Sequence, residues 1–368
     1  MSTTDNNNEN QSEIDSPNNS DIVDVELAPP KENKDDAGTP KDVQDDMTTP
    51  EWIAFHLKKN TRILSACLTY SFCSVTMVLV NKSLASGYNH LIDGSLNILL
   101  VVFQAVVAVA AVKISNHLKW IEIPDISFDV AKQWAPVNIF FCAMLFTGMA
   151  SLQHNTVPMV TIFKNVSNIT TAIGDYYFFG NKPENLVVVA FAIMLMGAIA
   201  AAVHDISISF VGLSWMVLNC LSSSGYVLYM KHATETIKLE KFAMVFYNNV
   251  LCVCFLLPAA VYLGEMKLFL GSKVLHTADY AVKNIFAGLV GFFLNFAALN
   301  CVAASGATTY VIIGSLNKIP VAFLGYWIFK SVINKETWFF IAVSMCGGFL
   351  YSYAKLQSSA SKRTNRSS

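Results

Sequence analysis

The sequence predicts an all-α membrane protein: ten transmembrane helices in a 5+5 inverted repeat, both termini cytosolic. Three observations carry this. The 368 residues are 54% hydrophobic and only 14% charged, with a mean hydropathy of +0.44; a soluble domain is nearer a quarter charged. Ten apolar stretches reach the length of about 20 residues that crosses a bilayer. Lysine and arginine collect on alternate loops, as the positive-inside rule requires.

Residues 1–50 hold 13 acidic side chains and three Lys, and are rich in Asn, Ser and Pro. Such a segment cannot bury enough apolar surface to offset ordering, so a disordered acidic cytosolic tail is expected. It lacks the basic start and apolar core of a signal peptide, so the first span must itself direct insertion. Residues 51–356 form the ten-helix body. Residues 357–368 are a short basic tail holding Lys362, Arg363 and Arg366; a positive flank at the membrane surface is the favoured reading, and a sorting signal the alternative.

The spans are expected at 63–83, 95–115, 134–153, 157–179, 186–203, 210–230, 242–263, 282–302, 306–329 and 337–355. Almost nothing is left for a soluble domain, so function must reside in the bundle. With the N-terminus in the cytosol, cytosolic flanks carry 14 Lys/Arg and the opposite side five. The eight Cys sit inside apolar runs without zinc-type or disulfide spacing and read as packing residues. The seven His are scattered. Neither a metal nor a cofactor is expected.

Span four reads T-V-P-M-V-T-I-F-K-N from Thr156 to Asn165, and span nine T-T-Y-V-I-I-G-S-L-N from Thr308 to Asn317, followed by Lys318. Each carries Thr nine residues before Asn, with Lys beside that Asn. Spans four and nine hold the same place in each half. Halves with an odd number of spans have opposite topology, so the repeat is inverted. Both Lys/Asn pairs then lie near mid-membrane.

Ionisable groups at that depth are costly and usually functional. Lys164, Lys318 and Asp175 are all inside spans, giving two cations and one carboxylate. The excess positive charge asks for an anion, and a phosphate ester supplies one. Neutralisation by neighbouring side chains is the structural alternative. Phe246-Tyr247-Asn248-Asn249 opens span seven. Two adjacent carboxamides present donors and acceptors that match the edge of a purine, beside aromatic rings that could stack on it. Hydrogen bonding across helices explains them equally well. In span nine, Gly314 and Ser315 lower the side-chain wall. Pro320 cannot donate to the Leu316 carbonyl, which predicts a kink.

These residues are where a family likeness enters. The chain resembles the GDP-mannose transporters, nucleotide-sugar carriers of the drug/metabolite transporter superfamily, over residues 60–356. FYNN stands intact at Phe246–Asn249, and the family's GALNK is present as GSLNK at Gly314–Lys318. F-K-N at Phe163–Asn165, G-A-T-T-Y at Gly306–Tyr310, and Tyr70 eleven residues before Asn81 complete the match. The resemblance implies guanine recognition by Phe246, Tyr247, Asn248 and Asn249. It implies sugar and phosphate contacts from Tyr310, Gly314, Ser315, Leu316, Asn317 and Lys318. It implies a cavity lined by Tyr70, Lys164, Asn165 and Asn295. The implied activity is import of GDP-mannose into the Golgi lumen in exchange for GMP, by alternating access.

Departures bear on the sugar. Ser315 replaces Ala, Val160 stands where a cavity Tyr is often found, and Asn295 and Ala298 stand where Ser is expected. GDP-fucose, GDP-arabinose and GDP-galactose therefore stay open. No GxSxG, HExxH or Walker A sequence is present, so the protein is expected not to be an enzyme. A nucleic-acid partner is not expected. The alternatives are another phosphate-ester or UDP-sugar exchanger of the same superfamily, and a membrane scaffold or trafficking protein with a vestigial site. Oligomeric state is not legible, and a homodimer stays open.

Overall fold

The computed structural model describes residues 49–367 apart from 89–91, 93, 124, 206 and 238; the side chains of 49–60, 235, 307, 308, 311 and 359–367 also lie outside the description. The expectation for the acidic tail falls outside it up to residue 48. The described residues are helical, without a strand. In lipid only a helix satisfies every backbone group within one segment.

The helices are α1 (Thr49–Gly87), α2 (Asn97–His117), α3 (Phe128–His154), α4 (Val157–Phe179), α5 (Asn185–His204), α6 (Phe210–Thr236) and α7 (Lys241–Tyr262). The short α8 (Glu265–Gly271) and a 3₁₀ turn (Lys273–His276) lead into α9 (Ala278–Leu316), α10 (Lys318–Ile328) and α11 (Lys335–Ser367). Local sequence sets several ends. Ser209 caps α6 by accepting from Gly212 N at 3.0 Å, the usual use of a serine there. Pro158 occupies the first turn of α4, where its missing N–H costs nothing. Gly180 ends α4 in the left-handed region at φ 71°.

Among the described residues, eight helices are long and apolar enough to cross a membrane by length and composition. Each expected span falls on a helix, but two depart from a plain apolar rod. The fourth, α4, carries Lys164, Asn165, Ser167, Asn168, Thr170, Thr171 and Asp175 and is not among the eight. It packs against α5, α6, α10 and α11. The ninth is interrupted. Within α9 the chain turns at Gly306, whose φ of 83° and ψ of 159° suit only glycine. A second break, at Asn317, separates α9 from α10. It falls three residues before Pro320, close to the expected kink. The basic segment after 357 continues α11 as helical backbone to Ser367.

Large apolar side chains stand exposed around the bundle, among them Phe72 (71%), Val203 (76%), Tyr262 (90%) and Trp327 (75%). A soluble monomer rarely tolerates so much contiguous apolar surface; lipid does. Inside, α5 and α11 approach at backbone distance. A Cβ on Gly197 would sit 2.7 Å from Ser344 N, and one on Gly347 2.8 Å from Met194 N. Small residues permit this kind of contact in membranes.

One end of the bundle is held by a set of cross-helix tethers. The buried Lys82 of α1 donates to the carbonyls of Leu152 at 2.5 Å and Asn155 at 2.8 Å, at the C-terminus of α3. A cation there complements the helix dipole. Asn97 pairs with Gln153, and Asn155 donates to Gly212 O at 2.9 Å. Glu265 of α8 accepts from Leu99 N at 2.8 Å and Ile98 N at 3.3 Å. It thereby supplies α2 with a cap that its own N-cap residue, Leu96, does not make. Burial pushes the Glu265 carboxyl above the ordinary carboxylate range, against the pull of those two amides.

Candidate functional site: a polar cavity among four helices

At the other end the helices part around a cavity of about 190 Å³, walled by α1, α6, α7 and α9. Its polar lining is Tyr70 and Ser74 from α1, Tyr226 from α6, Lys241 and Asn248 from α7, and Asn295 and Tyr310 from α9. Apolar walls come from Met230, Met244, Val245 and Leu294. The Tyr70 and Tyr310 rings lie 4.7 Å apart, and their hydroxyls share a hydrogen bond of 3.0 Å. Tyr310 comes here because the Gly306 turn brings the last part of α9 back against α1.

The FYNN residues divide over the faces of α7. Asn248 lines the cavity. Its Oδ1 accepts from Trp134 Nε1 at 2.8 Å, and its Nδ2 donates to the Tyr226 hydroxyl at 3.1 Å. These two bonds fix the carboxamide's orientation and leave one N–H and one lone pair for a ligand. Asn249 donates back to Val245 O at 2.8 Å and is not a lining residue. Phe246 is buried against Val112, Ile121 and Phe292, away from the cavity. The Tyr247 hydroxyl accepts from Ser127 N at 2.9 Å and so anchors the chain leading into α3. Helical periodicity explains the division: four consecutive residues cannot share one face.

The GSLNK segment lies behind the tyrosine pair. Gly314 faces the Tyr70 hydroxyl, which a Cβ there would meet at 3.6 Å. Ser315 pairs with Ser352 of α11 through their hydroxyls. Leu316 is 46% exposed. Asn317 is buried, and its Nδ2 has no partner. The Lys318 ammonium donates to Asn165 Oδ1, joining the two Lys/Asn positions read from the sequence. The Asn165 amide in turn reaches Ser344 O at 3.5 Å. Lys164 lies within electrostatic reach of Lys318 and remains solvent-accessible. The structure thus brings Tyr70, Asn248, Asn295 and Tyr310 onto one cavity, and Lys164, Asn165, Asn317 and Lys318 into a second cluster.

Asp175 is paired, as the charge count allowed, with a cation from another helix. It accepts from Lys231 of α6 at 2.7 Å, and Lys231 also lies 4.2 Å from the centre of the Phe179 ring. No carboxylate is recorded against Lys164 or Lys318 among the described residues. The groove beside the α2–α3 connection, lined by Lys113, Asn116, Asp125 and Phe246, is separate. Among the described residues no cluster of His, Cys, Asp or Glu could hold a metal ion, and all eight Cys are free thiols. Sequence reasoning missed Trp134, Tyr226 and Lys241. Lys241 had a signal: it precedes Asn248 by seven residues, hence two turns along the same helix face.

The described residues form an all-helical bundle with apolar faces and a polar cavity in its interior, an architecture that suits a membrane carrier. The chain belongs to the Triose-phosphate Transporter family, whose model matches residues 61–352. Its relatives include a GDP-mannose transporter of Arabidopsis thaliana, 31% identical over 82% of this chain and 91% of that protein. A GDP-mannose transporter of Aspergillus oryzae is 30% identical over 81% of each chain. A second one of Arabidopsis thaliana is 29% identical over 78% of this chain and 77% of that protein. Membership places the chain among transporters, not enzymes.

Proposed function

We propose that the protein is a nucleotide-sugar antiporter. It moves GDP-mannose, or a related GDP-sugar, from the cytosol into the Golgi lumen in exchange for GMP. The observation that carries the reading is Asn248 of FYNN, held by Trp134 and Tyr226 in a cavity it shares with Tyr70 and Tyr310. The names of the relatives point the same way. In this reading Asn248 takes the guanine edge, with Asn249, Phe246 and Tyr247 holding the frame of α7. Tyr70, Tyr310 and Asn295 meet the sugar. Lys318, with Lys164, Asn165 and Asn317, meets the phosphates through charge-assisted hydrogen bonds.

Alternating access rests on the inverted repeat. Two observations support ten spans in two halves. Val-Leu-x-x-Lys at Val78–Lys82 in the first span recurs at Val227–Lys231 in the sixth. The packing partners also exchange correctly when the halves are swapped. With the eighth span taken as α9 before Gly306, α3 on α6 maps to α9 on α1, while α2 on α7, α5 on α11 and α4 on α10 map to themselves. Both termini are then cytosolic, the Lys82 and Glu265 tethers close the lumenal end, and the cavity sits in the cytosolic half. The two halves rock about the midplane cluster.

Competition in proteoliposomes tests the substrate. Labelled GDP-mannose is offered to GMP-loaded vesicles with unlabelled GDP-mannose, GDP-fucose, UDP-galactose or triose phosphate as competitors. Inhibition by guanine nucleotides alone is the expected result. Inhibition by UDP-galactose would remove base selection from FYNN. Inhibition by triose phosphate alone would favour a small phosphate-ester exchanger, the reading that the family's own name and the Lys164/Lys318 cluster favour.

A further inference from the structure

Among the described residues, the cavity holds a cation with no hydrogen-bond partner. Lys241 opens α7, and its Nζ is buried without a hydrogen bond, while the side chain lines the cavity that Asn248 lines. A buried ammonium is expensive unless it is paired and hydrogen-bonded. Among the described residues that line the cavity there is no carboxylate. Of the two clusters, the one around Lys318 already has cations for phosphate. The cavity around Lys241 is about 190 Å³, below the roughly 300–1,000 Å³ usual for a whole drug-sized ligand. It therefore receives one end of an elongated molecule.

We propose that Lys241 is a specificity-determining residue for the base: its ammonium donates to the O6 and N7 acceptors of a 6-oxopurine held by Asn248. The inference rests on the guanine reading above and adds a residue and a selection rule to it. An ammonium has three donors and no acceptor. Guanine and hypoxanthine offer it two adjacent acceptors, O6 and N7. Adenine offers N7 beside an amino group, which is a donor, and two donors in contact repel. Lys241 thus accepts keto purines and rejects amino purines, while the Asn248 carboxamide meets the opposite part of the ring edge. Lys241 stands two turns from Asn248 on α7, and Met244 and Met230 line the same cavity.

The test is binding to purified full-length protein, read as a melting-temperature shift with GMP, IMP, AMP and guanosine, alongside GDP-mannose uptake. Wild type should be stabilised by GMP, IMP and guanosine and little by AMP. Lys241→Met should weaken GMP and IMP at least tenfold, weaken guanosine alike, and leave AMP within threefold, so that the preference for guanine collapses. Without ligand, Lys241→Met should melt no lower than wild type, because it removes an unpaired buried charge. Lys241→Arg should keep the preference, and Lys241→Ala, which also removes the donor and should lose it, stands in should the methionine variant not accumulate. Loss of GMP and AMP together with guanosine unaffected would assign Lys241 to phosphate and overturn the proposal, as would unchanged nucleotide binding. Wild type that ignores GMP altogether would instead overturn the guanine reading on which the proposal rests.

Discussion

At Asn248 one carboxamide serves two neighbours, Trp134 and Tyr226, and still has capacity for a ligand. Its substitution therefore acts on stability and recognition separately. Asn248→Ala leaves the buried Trp134 N–H without an acceptor, which costs about 1–3 kcal/mol; a lowered melting temperature in detergent checks it. Asn248→Asp keeps that acceptor and can accept a hydrogen bond from the Tyr226 hydroxyl. It should stay folded and lose at least tenfold in GDP-mannose uptake. An Asn248→Asp protein that transports normally would remove Asn248 from the base. Lys318→Met is expected to abolish exchange from well-folded protein, because it deletes the cation while leaving Asn165 its contact with Ser344.

Glu265 shows a titratable effect outside the spans. Its carboxyl sits above its ordinary value because burial opposes ionisation. The folded state therefore favours the protonated form. That contribution is present below the ordinary carboxylate pKa and is lost as pH rises through the raised one. Wild-type melting temperature should fall, relative to Glu265→Gln, as pH increases across that interval. Glu265→Ala removes the acceptor for Ile98 and Leu99 and should cost about 0.5–2 kcal/mol, the range for a lost helix cap. Parallel pH profiles for wild type and the glutamine variant would contradict the assignment.

At the level of the helix, packing follows the small residues. α5 and α11 meet where Gly197 faces Ser344 and Gly347 faces Met194. A leucine at Gly347 would have to displace backbone rather than a side chain. Gly347→Leu should cost about 1–3 kcal/mol or more, and the protein should migrate as aggregate on gel filtration. The polar α4 and the broken α9–α10 pair are where pattern reading strained. Neither is a uniform apolar rod, and both contribute to the Lys318 cluster. The existence of the other helices was legible because apolar runs between charged flanks fix them; their ends were not, since α1 begins at Thr49 and α11 runs to Ser367, beyond the expected 63–83 and 337–355. α8 was not, because seven residues carry no period. Which FYNN residue faces the cavity was not legible either. Rotation of α7 is set by its neighbours, so Phe246 turns to Val112 and Phe292, and Asn249 returns its amide to Val245. The burial of Lys241 was hidden for a similar reason: a lysine at a span edge ordinarily reaches out to water.

Over the whole molecule, the two ends are unlike. Tethers from Lys82, Asn97, Asn155 and Glu265 gather at one end, and the cavity with Lys241 lies towards the other. In a carrier of two inverted halves this is one of two related conformations. Under the proposed orientation the cavity's end faces the cytosol, and an epitope tag at either terminus should then be open to protease in sealed vesicles that carry the protein; protection of both tags would contradict it. The proposed orientation and repeat rest on charge counting and on the Lys/Asn pairs, both properties of sequence. The pairing of Lys318 with Asn165 and of Asp175 with Lys231 required the fold. The central claim is coupled exchange, and one measurement reaches it directly. Purified protein is reconstituted into vesicles that are either empty or loaded with GMP, and the initial uptake of labelled GDP-mannose is compared. The account predicts uptake into GMP-loaded vesicles at least tenfold above empty ones. Equal uptake into both, from protein that carries GDP-mannose, would contradict it.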